Sequence, residues 1–346
     1  MSRALQAAAA GALFLAAALA FRCWSPVRCG ERPRPAGRIM DGFAAGLNYP
    51  WINYGWDFGA SPWGHRGVSS PEGRAEAEKD FAAMRTAGAR VARWFVLCDG
   101  RAAPEFDARG RVTGFDKRFY RDLDAALEIA GRSGVRLVLV LFDFHLLDEA
   151  RLVNGAQLGG RAALLANPAA SRSLFDNALR PLLKRYGARQ EILAWEIMNE
   201  PEWRMDKDGL PGDKVRDFVR RAAELVHEHA RQPVTVGSAS AADLRRWRGL
   251  GLDFYQYHYY EHMNGDPGPG SARLDRPCVL GEFGTAGRRP AEFYLDAALR
   301  AGLAGAWAWS YRAGDEQSAF PAASAGFTAW TQAQEERERA AAPGAR

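Results

Sequence analysis

At 346 residues the chain is more than twice a usual domain of roughly 150, yet it fits one α/β barrel, whose range is about 200 to over 400. Apolar residues at 47% and charged ones at 25% exclude a wholly disordered protein. The 46 Lys and Arg against 41 Asp and Glu leave +5 with no run of five basic residues, and the four Cys form no CxxC pair, so neither a nucleic-acid footprint nor a zinc site is indicated.

Residues 4–21 are almost all Ala, Leu, Gly and Phe, and Ala18-Leu19-Ala20 supplies a small-x-small cleavage pattern. Residues 1–20 therefore read as a signal peptide, with an uncleaved membrane anchor as the alternative, and export to the periplasm or the exterior is expected. Arg22, Arg28, Arg32, Arg34 and Arg38 follow the apolar run and oppose translocation. Residues 21–40 read as an Arg/Pro-rich linker, in which Cys23 and Cys29 are either a local disulfide or two free thiols. Residues 41–331 read as the folded domain and 332–346 as a flexible tail.

Within that domain short β-rich runs alternate with amphipathic helical stretches. Strands are predicted at Phe43–Asn48, Arg90–Leu97, Val135–Asp143, Ile192–Asn199, Pro233–Ser238, Leu252–His258, Cys278–Phe283 and Gly305–Ser310. Between them, Ser70-Pro71 caps a helix carrying Ala77, Phe81 and Met84 on one stripe, and Asp116 caps another carrying Phe119, Leu123 and Leu127. Further helices are predicted near Ser171–Tyr186, Lys214–Arg231, Ala241–Gly249 and Pro290–Ala301. Eight strands with intervening helices predict a single (β/α)8 TIM barrel. The alternative, an open doubly wound sheet, would want a Gly-rich phosphate turn after an early strand, and no GxGxxG stands there.

In such a barrel chemistry sits where strands end. The fourth strand ends Trp195-Glu196-Ile197-Met198-Asn199-Glu200-Pro201, and Pro201 stops the ladder so that Glu200 stands at the rim. Glu196 lies four residues deeper, about 13 Å at ~3.3 Å per residue, which makes it an interior residue suited to pairing with an arginine. The seventh strand ends Leu280-Gly281-Glu282-Phe283-Gly284, its glycines permitting close approach to Glu282. Strands four and seven face each other across the mouth. Two converging carboxylates are what glycoside hydrolysis needs, one to protonate the leaving oxygen and one to attack or to activate water. Nearby, Arg93 can keep a carboxylate ionised, His145, Asn199, His258 and Tyr260 suit sugar hydroxyls, and Trp307 and Trp309 alternate on the last strand. His145 and His258 lack the spacing of a metal site, and no cofactor is implied.

Trp195–Pro201 with its Asn-Glu-Pro, and Gly281-Glu282-Phe283-Gly284, resemble the acid/base and nucleophile motifs of glycoside hydrolase family 5 and the wider clan A of retaining glycosidases. Arg93, His145, the His258-x-Tyr260 pair and Trp309 resemble its site pattern in chain order, over about Phe43 to Ser310. The resemblance implies Glu200 as acid/base, its pKa raised by the neighbouring carboxylate, and Glu282 as nucleophile. It implies Asn199 on the substrate 2-hydroxyl, Tyr260 orienting the nucleophile and Trp309 as floor of the cleaved sugar's subsite. The implied reaction is retaining hydrolysis of an oligosaccharide or polysaccharide of the β-1,4-glucan or β-mannan kind. The aromatic loop Leu47–Gly59 offers Trp51 or Trp56 as stacking platforms, or as packing over the barrel edge. Alternatives are a non-catalytic carbohydrate-binding barrel and a transglycosylase.

Overall fold

The strands close, in chain order, into an all-parallel barrel: β1 (Ala44–Asn48), β2 (Val91–Phe95), β3 (Arg136–Asp143), β4 (Ile192–Asn199), β5 (Val234–Ser238), β6 (Tyr255–Tyr259), β7 (Cys278–Gly284) and β8 (Gly305–Trp309). β8 returns to β1 with Ala44 opposite Gly305, which is the closure that makes a TIM barrel. The computed structural model describes residues 39–341 apart from 40, 65, 208–209, 264–266, 270–273 and 313. The expected signal segment and the Cys23–Cys29 pair lie outside the described residues, as does the linker but for Ile39. Among the described residues no helix is long and apolar enough to cross a membrane.

Each predicted strand is present, with ends shifted by at most three residues. The helices form for the expected reasons. Ser70 accepts a hydrogen bond from the Gly73 N–H at the head of Pro71–Thr86. Asp116 accepts from Arg118 and Phe119 at the head of Lys117–Ser133, which ends on Gly134 at φ +71°. The stripe expected near 241–249 is a 3-10 helix, Ala241–Trp247, and two short antiparallel ribbons, Glu105–Phe106 with Val112–Gly114 and Arg151–Val153 with Ala156–Leu158, decorate the loops after β2 and β3.

Two layers of packing hold the site. Phe119, Leu123, Leu127, Val219 and Leu295 of the outer helices bury against the outward faces of the strands. Inside, Val91, Val138, Phe254, Val279 and Trp307 plug one end of the barrel. The plug leaves the other end for polar side chains.

The chain end corrects the tail boundary at 332. Phe320–Ala341 is one helix that crosses that point. Thr331 Oγ1 donates to the Ala87 carbonyl at 2.9 Å, and Glu338 accepts from the Phe43 N–H at 3.3 Å and pairs with Arg90 at 3.6 Å. The helix packs into the core through Phe320, Phe327 and Trp330, while beyond 332 its ties run through the polar Glu338, so that last stretch reads as tail in isolation.

Candidate active site

Above the apolar plug lies a layer of buried polar side chains contributed by several strands. Arg93 is its centre. Its Nε and Nη2 donate to Glu196 at 2.7 and 2.6 Å, its Nη1 to Asn48 at 2.9 Å and Glu282 at 2.5 Å, and its Nη2 to Asn199 at 2.7 Å. Gln256 donates a further bond to Glu196 at 2.8 Å. Burial works against charge on Arg93, but Glu196 and Glu282 outweigh it and leave the guanidinium more firmly protonated than usual. Gly237 makes room, since a Cβ there would stand 2.4 Å from Glu196 Oε1. Glu196 is thus the interior, arginine-paired residue that its depth in the strand predicts.

At the rim, the ladder of β4 ends at Asn199 and Glu200 adopts φ +42°, a left-handed conformation that a non-glycine residue holds at a cost of roughly 1–3 kcal/mol. The turn carries the Glu200 carboxyl over the cleft, where Oε1 lies 2.7 Å from His258 Nδ1 and Oε2 accepts from Trp203 Nε1 at 2.8 Å. His258 Nδ1 is also 3.5 Å from Glu282 Oε2. One ligand atom from each of Glu200, His258 and Glu282 falls within 4.8 Å of the others. Glu282 receives N–H from Arg93 on Oε1 and O–H from Tyr260 on Oε2 at 2.5 Å.

The two carboxyls differ in surroundings. Burial pushes Glu200 up to about 7, with Trp203 and Arg93 opposing and Glu196 adding to the rise. Burial is the leading cause, with Glu196 the carboxylate that adds to it, and Glu200 in turn raises Glu282. Burial also raises Glu282, while His258 and Arg93 pull the other way. With donors on both oxygens, Glu282 is solvated as a carboxylate. Burial lowers His258 to about 4, so its imidazole is neutral at pH 7, and burial together with Glu282 keeps the Tyr260 phenol protonated as a donor.

The same three groups could be read as metal ligands. The guanidinium of Arg93 against Glu282 supplies the positive charge a cation would bring, and the oxygens already accept from Arg93, Tyr260 and Trp203.

The remaining predicted residues divide. Asn199 stands beside the pair, donating to Asp143 Oδ1 at 3.3 Å. His145 pairs through Nδ1 with Asp148 at 2.7 Å and lines, with Tyr54, Arg101 and Arg151, a cavity of about 110 Å³ beside the cleft. Trp309, at the end of β8, meets Trp51 at 6.2 Å between ring centres and is held by Asp315, which accepts from its Nε1 at 2.8 Å. Trp51 is half-buried and edge-on to Tyr54 at 4.7 Å, so it borders the cleft. Trp56 is not brought there: it is 8% exposed and packs on Ala156 and Leu158 beneath Trp63. Trp307 is fully buried in the barrel plug.

Sequence reasoning missed Trp203, Asn48 and Gln256. The last two carried a signal: each is a polar residue inside a strand, with Asn48 in register with Arg93. Trp203 had none, because it lies on a short helix, Glu202–Lys207, whose direction no periodicity reveals.

Fold and site together are those of a retaining β-glycan hydrolase, an O-glycosyl hydrolase. No protein-family model matches the chain. It is similar to the mannan endo-1,4-beta-mannosidase of Mytilus edulis, at 26% identity over 78% of this chain and 83% of that protein. The enzyme of that name from Cryptopygus antarcticus is 25% identical over 80% of this chain and 82% of its own length. Among solved structures, the β-mannanase of Mytilus edulis superposes with a TM-score of 0.68 at 25% identity, covering 84% of this chain and 92% of its own. The β-1,4-D-mannanase of Cryptopygus antarcticus shares the fold at a TM-score of 0.70 and 23% identity, covering 84% of this chain and 90% of its own.

Proposed function

We propose that the chain hydrolyses internal β-1,4 linkages of mannan by double displacement, with Glu282 as nucleophile and Glu200 as acid/base. The observation that carries this reading is the meeting of Glu200 and Glu282 around His258 within 4.8 Å. Oxygens that close suit the roughly 5–5.5 Å between carboxyls of retaining enzymes better than the ~6.5–9.5 Å that inverting enzymes keep for a water.

The Glu282 carboxylate attacks the anomeric carbon while the glycosidic C–O bond breaks, its electron pair staying on the departing oxygen. Glu200 delivers its proton to that oxygen. Glu200, now a carboxylate, takes a proton from water, whose oxygen attacks the same carbon and releases Glu282. Arg93 and Tyr260 hold the nucleophile in place, and Asn199 meets the substrate 2-hydroxyl. His145 reaches a hydroxyl from the side of Asp148, and Trp309 floors the subsite with Trp51 extending it. Mannan as substrate, and endo action, rest on the similarity to the mannosidases. A polymer that cannot enter a cell suits the exported placement that residues 1–20 suggest, which N-terminal sequencing of material recovered outside the cytoplasm would test.

The test is a panel of β-mannan, β-glucan and xylan scored by product chromatography beside Glu282→Gln. The reading expects short manno-oligosaccharides from wild type and none from the variant. Undiminished mannan cleavage by Glu282→Gln would remove Glu282 from the chemistry, and oligosaccharide binding without new reducing ends would make the barrel a binding module.

A further inference from the structure

Asp148 transfers no proton in the proposed reaction, yet both its oxygens and its backbone are fixed. Oδ2 lies 2.7 Å from His145 Nδ1, and Oδ1 pairs with Arg204 on the short helix that follows Glu200. Its carbonyl accepts from the Gly160 N–H at 2.7 Å, and its N–H donates to the His145 carbonyl at 3.3 Å. A histidine and an aspartate three residues apart on a surface are ordinarily a contact of little worth. Here the Asp148 side chain is only 23% exposed and belongs to two loops at once, because Arg204 arrives from beyond β4. Arg204 also lies over the Phe144 ring at 5.2 Å, and that ring stands 4.2 Å from the imidazole, centre to centre. The scaffold that carries Glu200 therefore also sets the His145 ring and the carboxylate on its edge.

Which imidazole nitrogen holds the hydrogen is decided by the partner of the other. A carboxylate only accepts, so Nδ1 carries the hydrogen at the Asp148 end and the lone pair is left on Nε2. Nε2 stands on the ring edge away from Asp148, with no hydrogen-bond partner among the described residues, and the side chain is 43% exposed beside the cleft. We propose that Asp148 is a positioning residue: it fixes the orientation and the tautomer of His145, so that Nε2 presents an acceptor to a substrate hydroxyl. This rests on the reading of His145 as a substrate contact. Arg204 makes the arrangement one-way. It can only donate, so in an Asp148→Asn protein it claims the amide oxygen and turns the NH2 group toward Nδ1, which reverses the tautomer.

The test joins a spectrum to a double-variant cycle. Nitrogen NMR of isotope-labelled histidine, at about pH 8 where an ordinary imidazole is neutral, reports which ring nitrogen bears hydrogen; the His145 signals are those missing from His145→Ala. Wild type is expected to carry the hydrogen on Nδ1 and Asp148→Asn on Nε2. On mannan oligosaccharides Asp148→Asn is expected to lower kcat/KM about tenfold, the scale of one hydrogen bond lost. His145→Ala is expected to lower it roughly 10- to 100-fold, and the double variant to stay within about twofold of His145→Ala, because the ring through which Asp148 acts is gone. A wild-type His145 with hydrogen on Nε2 and none on Nδ1 overturns the inference, and this reading needs no variant to fold. So do losses that multiply in the double variant, which mark damage to the scaffold, and so does an Asp148→Asn protein as active as wild type. A wild type that cleaves no mannan oligosaccharide overturns the glycosidase reading and this inference with it.

Discussion

Arg93 grips Glu196 with two nitrogens, 2.7 Å from Nε to Oε2 and 2.6 Å from Nη2 to Oε1, and both side chains are completely buried. The pair forms the base on which the Glu282 carboxyl rests, because the guanidinium's remaining nitrogen reaches it. A desolvated ion pair adds little net stability over an apolar replacement, yet removal of one partner strands the other.

Arg93→Met should therefore lose about 3–5 kcal/mol of folding stability by leaving Glu196 charged and alone. Arg93→Met combined with Glu196→Leu should recover most of that stability while staying inactive, since Glu282 has lost its donor. Urea denaturation of both, beside a mannan assay, tests this; a double variant no more stable than the single one would show that the pair is not the unit.

In the proposed reaction the two carboxyls set the pH profile. Glu200 must be protonated to act, and its pKa lies at about 7, so activity should fall as pH rises through 7. The acid limb belongs to Glu282, which must be ionised. The same shift acts on stability: because burial raises Glu200 above its unfolded value of 4.5, the folded state holds the proton more tightly. Its contribution is present below pH 4.5 and is lost as pH climbs through 7, an upper limit of roughly 3 kcal/mol at ~1.36 kcal/mol per pKa unit. Glu200→Gln should match wild type near pH 4 and exceed it in melting temperature at pH 8. A variant less stable than wild type at pH 8 would contradict the assignment.

Tyr260→Phe removes the O–H that Glu282 accepts at 2.5 Å. A hydrogen bond to a charged group is worth about 1.5–3 kcal/mol, so kcat should drop roughly 10- to 100-fold with the fold intact. Steady-state kinetics with circular dichroism check it, and an unchanged kcat would leave Tyr260 without a part in the reaction.

Trp51 and Trp56 should behave oppositely. Trp51→Ala opens the cleft wall beside Trp309 and should raise KM for longer oligosaccharides with little effect on melting. Trp56→Ala empties a buried site between Ala156, Leu158 and Trp63, and should cost about 3–5 kcal/mol of stability with KM unchanged. Exchanged phenotypes would mean that the two rings have been assigned the wrong way round.

The barrel was legible because parallel strands buried on both faces write themselves as continuous runs such as Ile192–Asn199, and because Ser70 and Asp116 announce their helices. Glu200 and Glu282 were legible as carboxylates at the ends of opposed strands, and Glu196 as a deeper one. The sequence does not show which polar groups share a partner, because Arg93 joins Asn48, Glu196, Asn199 and Glu282 across four strands, contacts between 45 and 189 residues apart. Nor does it show which aromatic of a Trp-rich loop is core, since Trp51 and Trp56 differ only in how the loop folds. The last turns of the helix ending at Ala341 were hidden for a related reason: past Trp330 its ties are polar, and their partners, Phe43, Ala87 and Arg90, lie at the far end of the chain.

The central claim is that Glu282 bonds covalently to the sugar from the face opposite Glu200. The most direct measurement is proton NMR of the anomeric signal during the first minutes of oligosaccharide cleavage, before mutarotation. The new reducing end is expected to appear first as the β-anomer and then to drift to the α/β mixture. First appearance of the α-anomer would mean a single displacement by water, and the pairing of Glu200 with Glu282 would then need a different chemistry.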